Sequence, residues 1–280
     1  MNLLEKSGEM LVSPLTGNRG FLFTFSLTAS LLISFLLIPL GVLLVTAGLS
    51  GVMDVAMNRE AITSILLSFE AGSLAATVSV LLGVPLAYLL SRVKFRGKGV
   101  VEGLLDLPLV IPHTVAGIVV LLAYSSRTPV GSVLSNFGLV VEDSFWGIVA
   151  AMLFVSAPFS VNFARQGFNA VDGGLEQVAR SLGAGPFRVF FTVSFPLAAR
   201  SILVGWLMAL ARAISEVGAI MIIAYHPIVG SVLVYEWFTT RGLKAAASLS
   251  VLLLAVSLLV LIGFRVVQKT GRKEVGVFQR

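Results

Sequence analysis

Cysteine is absent from this chain of 280 residues, which excludes disulfides, thiolate nucleophiles and metal sites built on cysteine. Histidine is nearly absent: His113 and His226 stand far apart in sequence and suggest no metal cluster. Charge is scarce as well, at 12% of residues against 57% hydrophobic, where a soluble domain carries about a quarter charged. With a mean hydropathy of +0.98, the chain holds more apolar surface than a soluble fold of this size can hide, and a bilayer is the solvent that fits. The net charge of +6 would point to nucleic acid only if basic residues clustered on a soluble face. They fall between apolar blocks instead, so no nucleic-acid partner is expected.

What is present is a series of charge-free runs. The first extends from Phe21 to Met53, far beyond a signal-peptide core, and is expected to be a retained membrane helix. Ala71–Ser91, Leu107–Ser126, Ser144–Ala164 and Ala245–Phe264 follow, each of about 20 residues, enough to cross roughly 30 Å of hydrocarbon. Another apolar segment, Ser201 to Ala224, is interrupted only by Arg212 and Glu216. The expectation is an all-α membrane protein with six transmembrane helices, since unpaired strand edges are too costly in lipid. In residue numbers, 1–20 reads as a tail, 21–62 as the first span with an outer loop, 63–267 as the main membrane domain and 268–280 as a second tail.

Basic residues orient this arrangement. Lys6, Arg19, Arg92, Lys94, Arg96, Lys98, Arg165, Arg180, Arg188, Arg200 and the tail from Arg265 to Arg280 fall on one side. Arg59, Arg127, Arg241 and Lys244 fall on the other. The richer side is expected to be cytoplasmic, with both termini there, in a multi-pass protein of the cell membrane. In the second span Gly72, Ala76 and, one register over, Ala75, Ser79 and Gly83 place small residues every four positions, a signal of deep packing.

One stretch does not belong to a span. Residues 176–196 read EQVARSLGAGPFRVFFTVSFP. Asp172 is a suitable cap for a helix with Glu176 in its first turn. Leu175, Val178, Ala179 and Leu182 form an apolar stripe at helical spacing. Gly183 or Gly185 supplies the left-handed residue that ends the helix, Pro186 opens a second short one, and Pro196 is expected to close the segment. On physics alone two readings fit: a helix pair lying in the lipid head groups, or a docking element for a soluble partner.

The stretch resembles the EAA loop of permease subunits of ATP-binding-cassette importers, whose pattern is Glu-Ala-Ala, three residues, Gly, nine residues, Ile-x-Leu-Pro. Gln177, Val178, Ala179, Gly183, Val193, Phe195 and Pro196 hold the matching positions, with Glu176 beside the substituted Gln177. VKFRGKGVVEGLLDLPLVIPHTVAGIVVLL at 93–122, LFVSAPFSVNFARQGFNAVD at 153–172 and ARAISEVGAIMIIAYHP at 211–227 are similar to molybdate/tungstate permease subunits. The resemblance implies a type I importer permease fold and a homodimer bound to two cytoplasmic ATPase subunits. It also implies an extracytoplasmic oxyanion-binding protein, and a coupling helix at 172–196 that seats on the ATPase. Carried over residue by residue, the coupling set is Glu176, Gln177, Val178, Ala179, Gly183, Ala184, Gly185, Pro186, Phe187 and Arg188. No Gly-x-x-x-x-Gly-Lys-Ser/Thr loop occurs, so ATP and Mg are expected to belong to the partner, with no cofactor bound by this chain.

Within the membrane, Arg212 follows Arg200 by about 18 Å of helix, and Glu216 stands one turn on, on the same face. Ionisable groups at that depth are functional suspects. The carboxylate would largely cancel the guanidinium field, so the pair reads as a structural or gating element, with Ser215 and Gly218 as neutral lining. Pro112 should kink or break the third span. His113 beside it is a hydrogen-bonded packing residue or a pathway residue; His226 reads as a loop residue. The whole is expected to be a non-catalytic oxyanion permease working by alternating access. The alternatives are a sulfate or thiosulfate permease, a membrane-embedded enzyme, which lacks a convergent acid, base and nucleophile, and a passive anion channel.

Overall fold

The computed structural model describes residues 19–275, with side chains from 20 to 263, and among these the chain is helical with no strand. The first expected tail lies almost wholly outside the described residues, and the second is described only as backbone up to Val275, as part of the last helix. Helix α1 (Arg19–Ala47) is apolar on all sides and leans on the last helix. Gly48, in the left-handed region at φ 67, separates it from the short α2 (Leu49–Ala56).

Helix α3 (Arg59–Arg92) is capped by Asn58, whose side chain accepts the Ala61 N–H at 3.1 Å. At 34 residues it is about 51 Å long, well beyond a hydrocarbon core of about 30 Å. The expected span Ala71–Ser91 therefore covers only its later stretch. Its polar first turn, with Arg59 and Glu60, stands clear of the apolar zone as helix and not as loop.

The third span is broken. The chain bends by 119° between helix α4 (Lys98–Val110) and α5 (His113–Tyr124), across Ile111 and Pro112. Proline cannot donate the bond that would continue α4, and its carbonyl instead accepts the Ala116 N–H at 2.9 Å to open α5. Pro108, expected in a first turn, lies near the end of α4. That helix is fixed to its neighbour by Arg165 to Glu102 at 2.6 Å and Asn162 to Asp106 at 2.8 Å.

Short α6 (Pro129–Asn136) precedes α7 (Phe145–Ala170), which is capped by Ser144 as its side chain accepts the Gly147 N–H. Helix α8 (Gly173–Ser181) leads to α9 (Pro186–Ile214), then α10 (Gly218–Ile223), α11 (Gly230–Thr240) and α12 (Leu243–Val275). Helix α12 runs past the expected end of its span at Phe264. Among the described residues five helices (α1, α3, α7, α9 and α12) are long and apolar enough to cross a membrane, and the bent α4–α5 pair, taken as one span, makes six.

Two expectations about the fifth span are corrected. Pro196 does not end the preceding segment: α9 passes through it. Between Phe190 and Ser194 the helix widens, and the Phe195 N–H bonds to the Phe190 carbonyl five residues back, so the turn that would clash with the proline ring is loosened. Nor does one rod run from Ser201 to Ala224, because α9 stops at Ile214 and a new helix starts at Gly218.

Helices α3, α7 and α9 form the centre of the bundle. Gly72, Ala75, Ala76, Ser79 and Gly83 are all buried, as their spacing predicts. The Ser79 and Ser160 hydroxyls hydrogen-bond across the α3–α7 seam. A second layer joins α5 and α10 to α7 around Ile148, Met152 and Ile220. At the end of the bundle remote from α8, Glu142 accepts bonds from the Ser125 hydroxyl (2.6 Å) and the Ser126 N–H (2.8 Å). The Ser125 bond chiefly, against the opposing effect of burial, holds that carboxyl down at about 2.

Close packing makes glycine positions unequal. A Cβ on Gly205 would lie 3.0 Å from both the Phe163 Cβ and the Ser160 carbonyl oxygen, whereas one on Gly99 meets nothing within 4 Å. Gly205→Leu should cost about 1–3 kcal/mol by overpacking, read as a lower unfolding temperature in detergent. Gly99→Ala should leave that temperature unchanged or raise it slightly.

Candidate functional site

Two clusters stand out, one at the α8 end of the bundle and one at the facing helix breaks. Helix α8 begins as its sequence predicts, with the Asp172 side chain accepting the Gly174 N–H at 2.9 Å. It ends at Gly183, φ 87. There the Gly183 N–H reaches the Arg180 carbonyl and the Ala184 N–H reaches the Ala179 carbonyl, the paired bonds of a left-handed helix stop. Gly185 has an ordinary negative φ of −69 and serves only as the residue before Pro186.

The faces of α8 are the reverse of a core helix. Leu175 is 49% exposed, Val178 59%, Leu182 84%, and Phe187 just beyond is 82% exposed. Gln177, Gly183, Gly185, Pro186 and Arg188 are also exposed, while Ala179 and Ala184 are half-covered. The buried residue of α8 is its acid, Glu176. Of the ten residues expected in the coupling set, Glu176 is thus turned away from the surface shared by the others. The cause is Arg92 at the end of α3, whose guanidinium meets the Glu176 carboxylate at 2.9 Å. The Ser194 hydroxyl donates to the same carboxylate at 2.7 Å. Burial raises the Glu176 pKa, but the Arg92 and Ser194 hydrogen bonds and the charges of Arg92 and Arg180 outweigh it, so the group lies below its ordinary value. Arg92 and Ser194 escaped sequence reasoning as site residues; the hint was an arginine placed directly at the end of an apolar run, the first of the basic residues that follow it.

The second cluster joins all six expected pathway residues. Pro112 ends one helix break and Ser215 to Val217 form the other, and the two breaks abut. Arg212 Nη2 lies 2.8 Å from Glu216 Oε2, and His113 Nδ1 lies 3.0 Å from the same oxygen and 2.9 Å from Arg212 Nη2. One Nδ1 atom can donate to the carboxylate or accept from the guanidinium, but not both at once. The other carboxylate oxygen accepts the Ala219 N–H at 2.9 Å and so caps α10, while Ser231 donates to the Glu216 carbonyl at 2.6 Å. Ser215 donates to the Arg212 carbonyl and accepts from its guanidinium.

Glu216 is buried at 1% side-chain exposure, against 19% for Arg212 and 59% for His113. The cluster thus presents imidazole, hydroxyl and some of a guanidinium, with its carboxylate withdrawn behind them. Gly218 is the point of closest approach: a Cβ there would lie 2.9 Å from the His113 Cβ. Gly117, which sequence reasoning did not single out, has the same role a turn further along α5, where a Cβ would lie 2.8 Å from the Ala219 carbonyl oxygen.

Comparison with known proteins identifies the family. The chain is 44% identical over 245 residues to the molybdate/tungstate transport system permease protein WtpB of Pyrococcus abyssi, covering 86% of this chain and 94% of that one. It is 32% identical to the sulfate transport system permease protein CysT of Synechocystis sp., covering 86% and 87% of the two chains. The fold matches the crystal structure of a bacterial ABC transporter involved in the import of alginate, with a TM-score of 0.70 at 17% identity, over 90% of this chain and 96% of that one. Residues 79–273 match the family described as binding-protein-dependent transport system inner membrane component. With most of its length inside that match, the chain belongs to the family of binding-protein-dependent transport system inner membrane components.

Proposed function

We propose that this chain is the permease subunit of an ATP-driven importer that passes molybdate and tungstate across the cell membrane by alternating access. The single observation that carries the reading is the outward-turned apolar face of Leu175, Val178, Leu182 and Phe187 on a helix whose acid is tied inward. A helix that serves only its own bundle would bury that face. The substrate follows from the relatives, since the chain is more similar to the molybdate/tungstate permease than to the sulfate permease.

In this reading the α8 end and both termini are cytoplasmic, where the basic residues concentrate. Two copies assemble, each coupling loop seating on one of two ATPase subunits that bind ATP and Mg, and an extracytoplasmic protein delivers the oxyanion. This chain makes and breaks no bond and holds no cofactor. The Arg212–Glu216–His113 cluster is a gate: the guanidinium and carboxylate charges offset each other, so a dianion passes without being held.

Uptake of labelled tungstate, molybdate and sulfate by the reconstituted complex, each offered on its binding protein, tests the substrate. Tungstate and molybdate should accumulate with ATP and sulfate should not; sulfate alone accumulating would make the chain a sulfate permease. Gly183→Val forces a branched side chain into a left-handed position, costing about 1–2 kcal/mol, and Phe187→Asp places charge in the docking face. Both should abolish uptake while the permease still inserts, as read by uptake beside membrane-fraction quantity. For the gate, Arg212→Ala should strand a buried carboxylate at a cost of about 3–5 kcal/mol, lowering yield and uptake. The Arg212→Ala/Glu216→Ala double variant should recover both incompletely, because Ala219 then loses its cap.

A further inference from the structure

The face of α8 that turns away from the docking surface has a task of its own. We infer that Glu176 is a positioning residue that locks the coupling helix to the ends of α3, α7 and α9, so that these four elements shift together when the ATPase moves. The inference rests on the importer reading.

Three observations lead there. First, Glu176 is the buried residue of α8, so the helix reaches into the bundle chiefly through that side chain. Second, the tie is multiple: Arg92 Nε donates to both carboxylate oxygens at 3.0 and 3.1 Å, and Ser194 Oγ donates at 2.7 Å. Arg92 Nη2 also donates to the Val171 carbonyl at 3.2 Å, the residue that ends α7. Third, the covalent flanks are soft. Gly173 and Gly174 open α8, Gly183 closes it and Gly185 precedes the next helix, and glycine resists backbone rotation least. A push on the exposed face would be absorbed at those glycines if nothing else held the helix. A charged, directional clamp between chain ends transmits it instead, and the Ser194 branch delivers it to the widened turn of α9, the span whose far end carries Arg212.

A purely structural role predicts less assembled complex but an unchanged yield of transport per ATP. The positioning role predicts a changed ratio in complexes that do assemble. The test uses the full complex of permease, ATPase and tungstate-loaded binding protein in proteoliposomes, with uptake and ATP hydrolysis measured in the same vesicles. Glu176→Gln, which keeps shape and removes charge, should lower tungstate taken up per ATP by about fivefold or more while the ATPase still co-purifies. Ser194→Ala, which removes only the α9 branch, should lower it by a smaller factor. The parent's ratio persisting in an assembled complex of either variant would overturn the inference; if Glu176→Gln fails to assemble, Ser194→Ala decides on the same criterion. A parent complex that retains no ATPase, or takes up no oxyanion, would sink the importer reading instead.

Discussion

A chain that interrupts its helix within hydrocarbon must find partners for the backbone groups it frees, because no water is there to take them. This demand shapes the middle of the molecule. Each of two broken spans would be a liability alone, one opened by Pro112 and the other by Ser215 to Val217. Placed against each other they satisfy one another. Glu216 caps the restarted helix through the Ala219 N–H, and its carbonyl is met by Ser231. Its second oxygen gathers Arg212 and His113. The glycines at 117 and 218 are what allow the two restarted helices to come so close. Take away the carboxylate and the break loses its cap, its counter-ion and its link to the neighbouring span together.

The same span connects this centre to the surface. Helix α9 is continuous from Pro186, just after the turn that ends α8, to Ile214, just beyond Arg212. It carries one soft place, the widened turn at Phe190 to Ser194, and Ser194 is held there by Glu176. A displacement entering at α8 therefore meets a helix whose weakest turn is clamped at its base. Beyond it the rod is packed against α3 and α7 through residues too small to let it slide far, Gly205 against Ser160 and Gly167 against Ser201. Packed helices of this kind move as bodies, with the change concentrated at their ends and breaks.

Much of this was legible in the sequence, because membrane chains announce themselves by what they exclude. Charge-free runs locate the spans, Pro112 marks a true break, the small residues of the second span are all buried, and Asp172 and Gly183 bound α8. The misses share a cause: each depends on a partner distant in sequence. Glu176 reads as one more member of the exposed docking set until Arg92, 84 positions earlier, is seen to draw it inward. Apolarity from Ser201 to Ala224 reads as one rod, since a break at Ser215–Val217 needs Ser231 and the caps to be tolerable. Pro196 reads as a stop because nothing local reveals the loosened turn before it. An acid ahead of Gly218 was a cap signal available in the sequence, masked by the apolar run around it.

On the importer reading, the withdrawn position of Glu216 also bears on how a dianion could pass Arg212 at all. A bare guanidinium at low dielectric would bind a divalent oxyanion tightly and release it slowly; a bare carboxylate would bar it. Joined at 2.8 Å, the two present almost no net charge, and the groups left facing outward are the imidazole of His113, the hydroxyl of Ser215 and the uncovered part of a guanidinium whose charge is already paired. Such groups can exchange hydrogen bonds with oxyanion oxygens one at a time without forming a deep well. Discrimination between similar anions requires just such a well, lined by fixed donors that lose their bonds to the wrong ligand. A permease with this centre is therefore built to open and close, and the choice of anion belongs to the partner that hands it over.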